Sequence, residues 1–234
     1  AEIFAGAYAA EAFRNMGIFL VADIVLALVP PVLFAFFLTV MRNKGYSSLT
    51  RMLLFIPGIV PSVATLLIWK TGIYGESGVL NTLLGALGLE KVKFLTSSSA
   101  ALPSLIMMGF PFVGSYLIFY GGMMNIPDSY YEAAELEGCG PWKRLFTIDI
   151  PLIRPQLKYV FITIFIASVQ NFGRTYMVTS GDWGTQTPIN LMYNYMVNGK
   201  YGLAAAYATV IFAFLAVVTV INLRSQLKSD LGGE

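Results

Sequence analysis

Apolar residues in this chain run in blocks too long for the alternation of a sheet or the single stripe of a soluble helix. A bilayer core asks for about 20 apolar residues per helix. Five stretches meet that length: 17–41, 52–70, 100–123, 157–179 and 202–223. They predict an all-α integral-membrane fold with a core of about five transmembrane helices, one domain over 1–234. A sixth apolar run, Gly78 to Leu89, is too short to span. It reads as an interfacial or re-entrant helix with Ser77, Gly78 and Asn81 near its start. Pro30, Pro31, Pro57, Pro61, Pro103 and Pro111 interrupt the predicted spans. Proline is tolerated in lipid where neighbours or water take up the freed carbonyls, so these breaks predict helices packed around a cavity.

The polar positions concentrate in one interruption, 125–155, between the third and fourth spans. Ser129 and Glu132 have the S-x-x-E spacing of a capping box, in which each side chain satisfies an orphan amide at a helix start. Ala133, Ala134 and Leu136 favour helix. Gly138 permits the left-handed residue that ends it. Pro141 can open a second short helix, where its missing N–H costs nothing. Trp142, Leu145 and Phe146 would give that helix an apolar face, and Pro151 and Pro155 are expected to stop it. The segment therefore predicts two short helices meeting at a glycine elbow, placed to contact a soluble partner. An amphipathic helix lying on lipid headgroups is the plainer alternative. Glu132, Glu135 and Glu137 argue against it, because surface-bound helices favour Lys and Arg.

Composition agrees with the hydropathy pattern. The chain is 56% hydrophobic, 12% charged and free of histidine, with a mean hydropathy of +0.68; soluble domains carry roughly 25% charged residues. A net charge of +2 implies no nucleic-acid partner. The one cysteine, Cys139, excludes an internal disulfide and a cysteine-based zinc site, and reads as a small packing residue. Basic residues set the orientation. Arg42, Lys44 and Arg51, then Lys143, Arg144, Arg154 and Lys158, then Arg224 and Lys228 alternate correctly to share the cytoplasmic side. The carboxy terminus is then cytoplasmic and the chain begins outside. Ala1-Glu2-Ile3-Phe4 lacks both a Met and a basic start, so a further amino-terminal helix is expected before it.

Charges inside spans are costly and default to functional candidates. Asp23 and Arg174 stand out, either paired with each other or facing a substrate. Gln170 and Asn171, one helical turn before Arg174, extend a polar stripe that must face protein or a water-filled path. Trp69, Tyr116 or Tyr176 could stack on a substrate ring, although aromatics also sit in interfacial belts. The chain has no G-x-x-x-x-G-K-[ST] loop to cradle phosphates. With no histidine, no Ser-His-Asp site can form. Any ATP-driven work must draw its energy from a partner, and the chain is not read as an enzyme.

The run Glu132-Ala133-Ala134, Gly138, Ile148, Pro151 and Pro155 resembles the "EAA" loop of permease subunits of binding-protein-dependent ABC importers. The family pattern is approximately E-A-A-x-x-D-G, nine residues of which the first is usually Ala, I-x-L-P, three residues, then P. Glu137, Cys139 and Ile150 stand where Asp, Ala and Leu are usual. Ile56-Pro57-Gly58-Ile59-Val60-Pro61 with Trp69, Gly78-Val79-Leu80-Asn81, and Thr187-Pro188 through Tyr201-Gly202-Leu203-Ala204-Ala205-Ala206 are similar, more loosely, to carbohydrate-importer permeases. The G-x-x-N feature, Gly78 to Asn81, looks nearer the "F" than the "G" type of the maltose importer. The resemblance implies a bacterial inner-membrane protein paired with a second, different permease and fed by an extracytoplasmic binding protein. ATP and Mg would be bound by partner ATPases. Coupling to them would fall to Glu132, Ala133, Ala134, Glu135, Glu137, Gly138 and Pro151, and no cofactor to this chain. Amino-acid and peptide importers share this core; a secondary transporter or a membrane scaffold is the rival from another class.

Overall fold

The computed structural model describes residues 7–41 and 44–231. The basic position Arg42 and the segment Ala1 to Phe4 lie outside them. Every regular element among the described residues is helical. In chain order these are α1 (Ala7–Val40), α2 (Lys44–Ile59), and α3 (Ser62–Leu67), which widens into a π turn (Ile68–Ile73). There follow α4 (Val79–Ala86), α5 (Ala101–Met107), α6 (Tyr116–Met124) and α7 (Asp128–Leu136). Next come α8 (Pro141–Arg144), a second π turn (Leu145–Asp149) and the single turn α9 (Ile150–Leu152). The last four are α10 (Arg154–Val169), α11 (Gly173–Thr179), α12 (Pro188–Val197) and α13 (Tyr201–Leu231).

Among the described residues, two helices are long and apolar enough to cross a bilayer unbroken, within Tyr8–Val40 and Tyr201–Asn222. The first extends well before residue 17 and carries Pro30 and Pro31 without ending. The other three expected spans are not single helices. The 52–70 stretch breaks at Val60 and Pro61, between the helical runs Gly45–Ile59 and Ser62–Ile73. A proline pushes the residue before it out of the helical region, so the break falls there. The 100–123 stretch divides into α5 and α6 around Gly109, held at φ +102, and Pro111. Nine residues of α6 reach only about 14 Å, half a bilayer core. The 157–179 stretch divides at Gln170 to Phe172, where the Asn171 side chain, not the main chain, accepts from the Arg174 amide at 3.1 Å. Pro141–Leu152 and Arg154–Thr179 meet at 72°.

The chain forms two compact units. One takes the residues up to Asp23, Ser62–Met108 and everything from Phe165. Its core gathers Phe19, Tyr74, Leu105, Met108 and Val178, and a smaller cluster packs Ala12 and Leu191 around Tyr207. The short apolar run becomes α4, started by extended Gly78. Buried Asn81 fastens it, donating to the Gly75 and Val92 carbonyls at 3.0 and 3.1 Å and accepting from the Val92 amide at 2.8 Å. The other unit takes Ile24–Pro61 and Gly109–Ile164. Val32, Ala35 and Phe36 of α1 pack there with Phe119, Met123, Leu145, Ile153 and Val160.

Candidate functional site

The polar interruption folds within the second unit as two short helical pieces around a bend. Helix α7 starts at Asp128 with extended Pro127 as its cap and no side-chain capping bond. The expected Ser129–Glu132 capping box is therefore not formed, because Pro127 starts the helix one residue before Ser129. The far end follows expectation. Gly138 sits at φ +68, the Cys139 amide donates to Ala134 at 2.8 Å, and the Gly138 amide donates to Glu135 at 3.0 Å. These two bonds are a Schellman motif, which closes orphan carbonyls with a left-handed glycine. Pro141 opens α8 at its first turn.

Pro151 and Pro155 do not stop the second piece as expected. Helical turns run through Pro151 to Leu152, the break falls at Ile153, and Pro155 lies in the first turn of α10. The π turn just before Pro151 already widens the backbone, which accommodates a residue without an N–H. The expected apolar face is also divided. Leu145 is buried in the core, while Trp142 and Phe146 are 55% and 65% exposed. Trp142 lies 5.7 and 6.0 Å from the rings of Phe36 and Phe37 in α1. Burying Leu145 stabilises the elbow by about 2 kcal/mol.

On the outer side of the elbow Glu132, Ala133, Glu135, Glu137 and Gly138 are all exposed. Leu136, at 90%, is the most exposed large apolar side chain among the described residues. Ala134 points inward. Underneath lies a polar cluster that sequence reading missed. Asp149 is 0% exposed. Its carboxylate pairs with Arg144 Nε at 3.2 Å and accepts from the Tyr131 hydroxyl at 2.9 Å. Burial, and then the hydrogen bond to Asp149, raise the Tyr131 pKa above the ordinary phenol value and keep it a donor. The Arg144 guanidinium lies 3.9 Å from the Tyr131 ring centroid. Its Nη2 donates to Thr39 Oγ1 of α1 at 3.3 Å.

Five of the six path candidates, all but Tyr116, fall in the first unit. Asp23 and Arg174 pair bidentately, Nη1 to Oδ1 at 2.8 Å and Nη2 to Oδ2 at 2.9 Å. Ser168 adds a bond to Asp23 at 2.6 Å, and the Phe19 ring lies 4.3 Å from the guanidinium. The pair answers its own charge, of the two roles expected for it. Gln170 and Asn171 lie in a helix break, not along a helical stripe: Asn171 caps α11 and Gln170 is exposed. Trp69 packs on Tyr74 at 5.4 Å. Tyr116 belongs to the second unit, buried, its hydroxyl donating to the Arg51 carbonyl at 2.6 Å. An open cavity of about 510 Å³ in the first unit is lined instead by residues including Lys70, Tyr74, Lys93 and Trp183. Among the described residues no group of acidic, His or Cys side chains could hold a metal.

Residues 3–226 match the family model described as "Binding-protein-dependent transport system inner membrane component". A probable ABC transporter permease of Brucella abortus biovar 1 is 32% identical over 192 residues, 78% of this chain and 66% of that protein. The probable ABC transporter permease YesP of Bacillus subtilis is 32% identical over 204 residues, 82% and 65% of the two chains. The maltose/maltodextrin permease MalF of Escherichia coli is 32% identical over 200 residues, 77% of this chain and 38% of that one. The chain thus spans just under two thirds of the first two relatives and under two fifths of MalF. A chain in the crystal structure of a bacterial ABC transporter that imports the acidic polysaccharide alginate superposes with a TM-score of 0.84. That match covers 95% of this chain and 82% of the other at 19% identity, a likeness of fold.

Proposed function

This chain belongs to the family of binding-protein-dependent transport system inner membrane components, and from that premise we propose that it is a permease subunit of a bacterial ABC importer for a sugar or sugar derivative. The observation that carries the reading is the exposed elbow, which presents three carboxylates and Leu136 on a buried, internally bonded base. An acidic rim around an apolar tip suits a groove with basic edges, such as a soluble ATPase would offer. Glu132, Glu135 and Glu137 would meet its cations, Leu136 would enter the groove, and exposed Ala133 and Gly138 would allow close backbone approach. Pro151 would keep the following turn wide. Support for a sugar as cargo comes from the maltose/maltodextrin and alginate systems among the similar proteins.

In this reading the elbow and the carboxy terminus are cytoplasmic, and a second permease completes the path. ATP and Mg are bound by the ATPases, and an extracytoplasmic binding protein delivers the substrate. Closure of the ATPases moves the elbow, and the helices rock between two accessibilities. Gln170 is the exposed candidate for the path. Asp23 with Arg174, capping Asn171 and packed Trp69 would hold its wall within the first unit, and Tyr116 would brace the second. The test is gentle detergent purification of the tagged full-length protein from its host, with mass spectrometry of what accompanies it. An ATPase with the G-x-x-x-x-G-K-[ST] loop and a second EAA-bearing permease are expected. Recovery of the chain alone at every salt concentration would refute the reading.

A further inference from the structure

The EAA pattern leaves the residue between Ile148 and Ile150 open, yet here that position is a carboxylate buried completely. Burying a charge is costly unless it is paired and hydrogen-bonded. Asp149 meets that condition through Arg144 and Tyr131. The pairing depends on the π turn. Five residues along a regular α-helix turn a side chain about 140° away from its partner. In a π turn the step from i to i+5 brings the two nearly into line. Here Leu145 to Asp149 is that turn, its end marked by the Ile150 amide donating to the Leu145 carbonyl. The distortion therefore places Asp149 under Arg144.

Arg144 then leaves its own element. Its Nη2 reaches Thr39, next to the last residue of α1, whose hydroxyl also donates to the Phe36 carbonyl at 2.8 Å. The chain of contacts runs from α7, through Tyr131, Asp149 and Arg144, into the final turn of a 34-residue helix. We propose that Asp149 is a positioning residue which, by holding Arg144 against Thr39, ties the elbow to α1 and passes the elbow's displacement to that helix. The proposal rests on the permease reading above. It adds that coupling runs through this strut, beyond the docking surface itself.

The test uses the full importer complex, reconstituted in proteoliposomes, with MgATP hydrolysis measured with and without the purified binding protein. The readout is the ratio of stimulated to basal hydrolysis, which does not depend on how much complex survives. Asp149→Asn keeps the shape but leaves Arg144 without its counter-charge. Thr39→Val removes the hydrogen bond from Arg144 to α1, together with the Thr39 hydroxyl's own bond to Phe36, and leaves the Arg144–Asp149 pair intact. Both are expected to assemble, to hydrolyse ATP at the basal rate, and to lose stimulation by at least about fivefold, the low end of coupling between linked sites. Normal stimulation in Thr39→Val overturns the strut, and it decides the matter even if Asp149→Asn does not fold. A native complex that retains no ATPase would instead overturn the permease reading.

Discussion

At the scale of single residues, the two ion pairs differ in how they could be read. Asp23 and Arg174 declared themselves because each is a charge in an apolar run, and the cheapest answer to two such charges is each other. Arg144 and Asp149 gave no such signal. Both sit in a polar segment, and their spacing points them apart on an ordinary helix. The Asp23 pair carries a clear prediction. Asp23→Asn leaves the Arg174 guanidinium largely buried without a counter-charge, and breaking a buried pair from one side costs about 3–5 kcal/mol. Replacing both partners with apolar residues of similar size, Asp23→Leu with Arg174→Met, removes the burial cost along with the attraction. Thermal unfolding in detergent should show a large loss for the single variant and recovery of most of it in the double. A single variant as stable as the native protein would mean the pair does not carry its own desolvation. A stable double variant that no longer transports would assign the pair to the path.

Among elements, the elbow was legible because its chemistry is local. Gly138 followed three residues later by Pro141 specifies a left-handed stop and a new start, whatever lies around it. The helix start was misread because Pro127 competes with Ser129, and an extended proline fixes the boundary more firmly than a side-chain oxygen. The breaks inside the spans were less legible for a related reason: length and apolarity count residues, whereas Val60–Pro61, Gly109–Pro111 and Gln170–Phe172 redirect the backbone. Gly138 gives the sharpest test at this scale. A Cβ added there would meet no atom within 4 Å, so the cost of substitution is conformational. The left-handed region costs an L residue about 1–2 kcal/mol, least for Asn and most for a β-branched side chain. Gly138→Asn, →Ala and →Val should therefore lower transport per ATP hydrolysed in that order in proteoliposomes. A Gly138→Val complex that couples normally would show that the bend is not held by this residue.

For the whole molecule, membrane class followed from composition alone, because 12% charge cannot clothe a soluble surface of this size. What composition hides is where the few charges work. Three of the chain's thirteen acidic residues lie on one side of the elbow with Leu136 among them. If that surface seats the ATPase, the charged and apolar parts should separate by salt. Exposed ion pairs contribute about 0.2–1 kcal/mol each, and the Debye length falls from about 10 Å at 0.1 M salt to 3 Å at 1 M. Burying a leucine contributes about 1.5–3 kcal/mol, independent of ionic strength to this order. The apolar tip should therefore outweigh any one glutamate. Leu136→Ala is expected to weaken ATPase binding by about tenfold or more, with the slope against salt unchanged. Glu132→Gln with Glu135→Gln and Glu137→Gln should weaken it by about tenfold at low salt and little at high salt, flattening the slope. Binding of the purified ATPase to the immobilised permease pair, measured across a salt series, reads both effects together. A steep slope that survives the triple substitution would move the electrostatic contact to Lys143, Arg154 and their neighbours, and reverse the sign of the groove's charge.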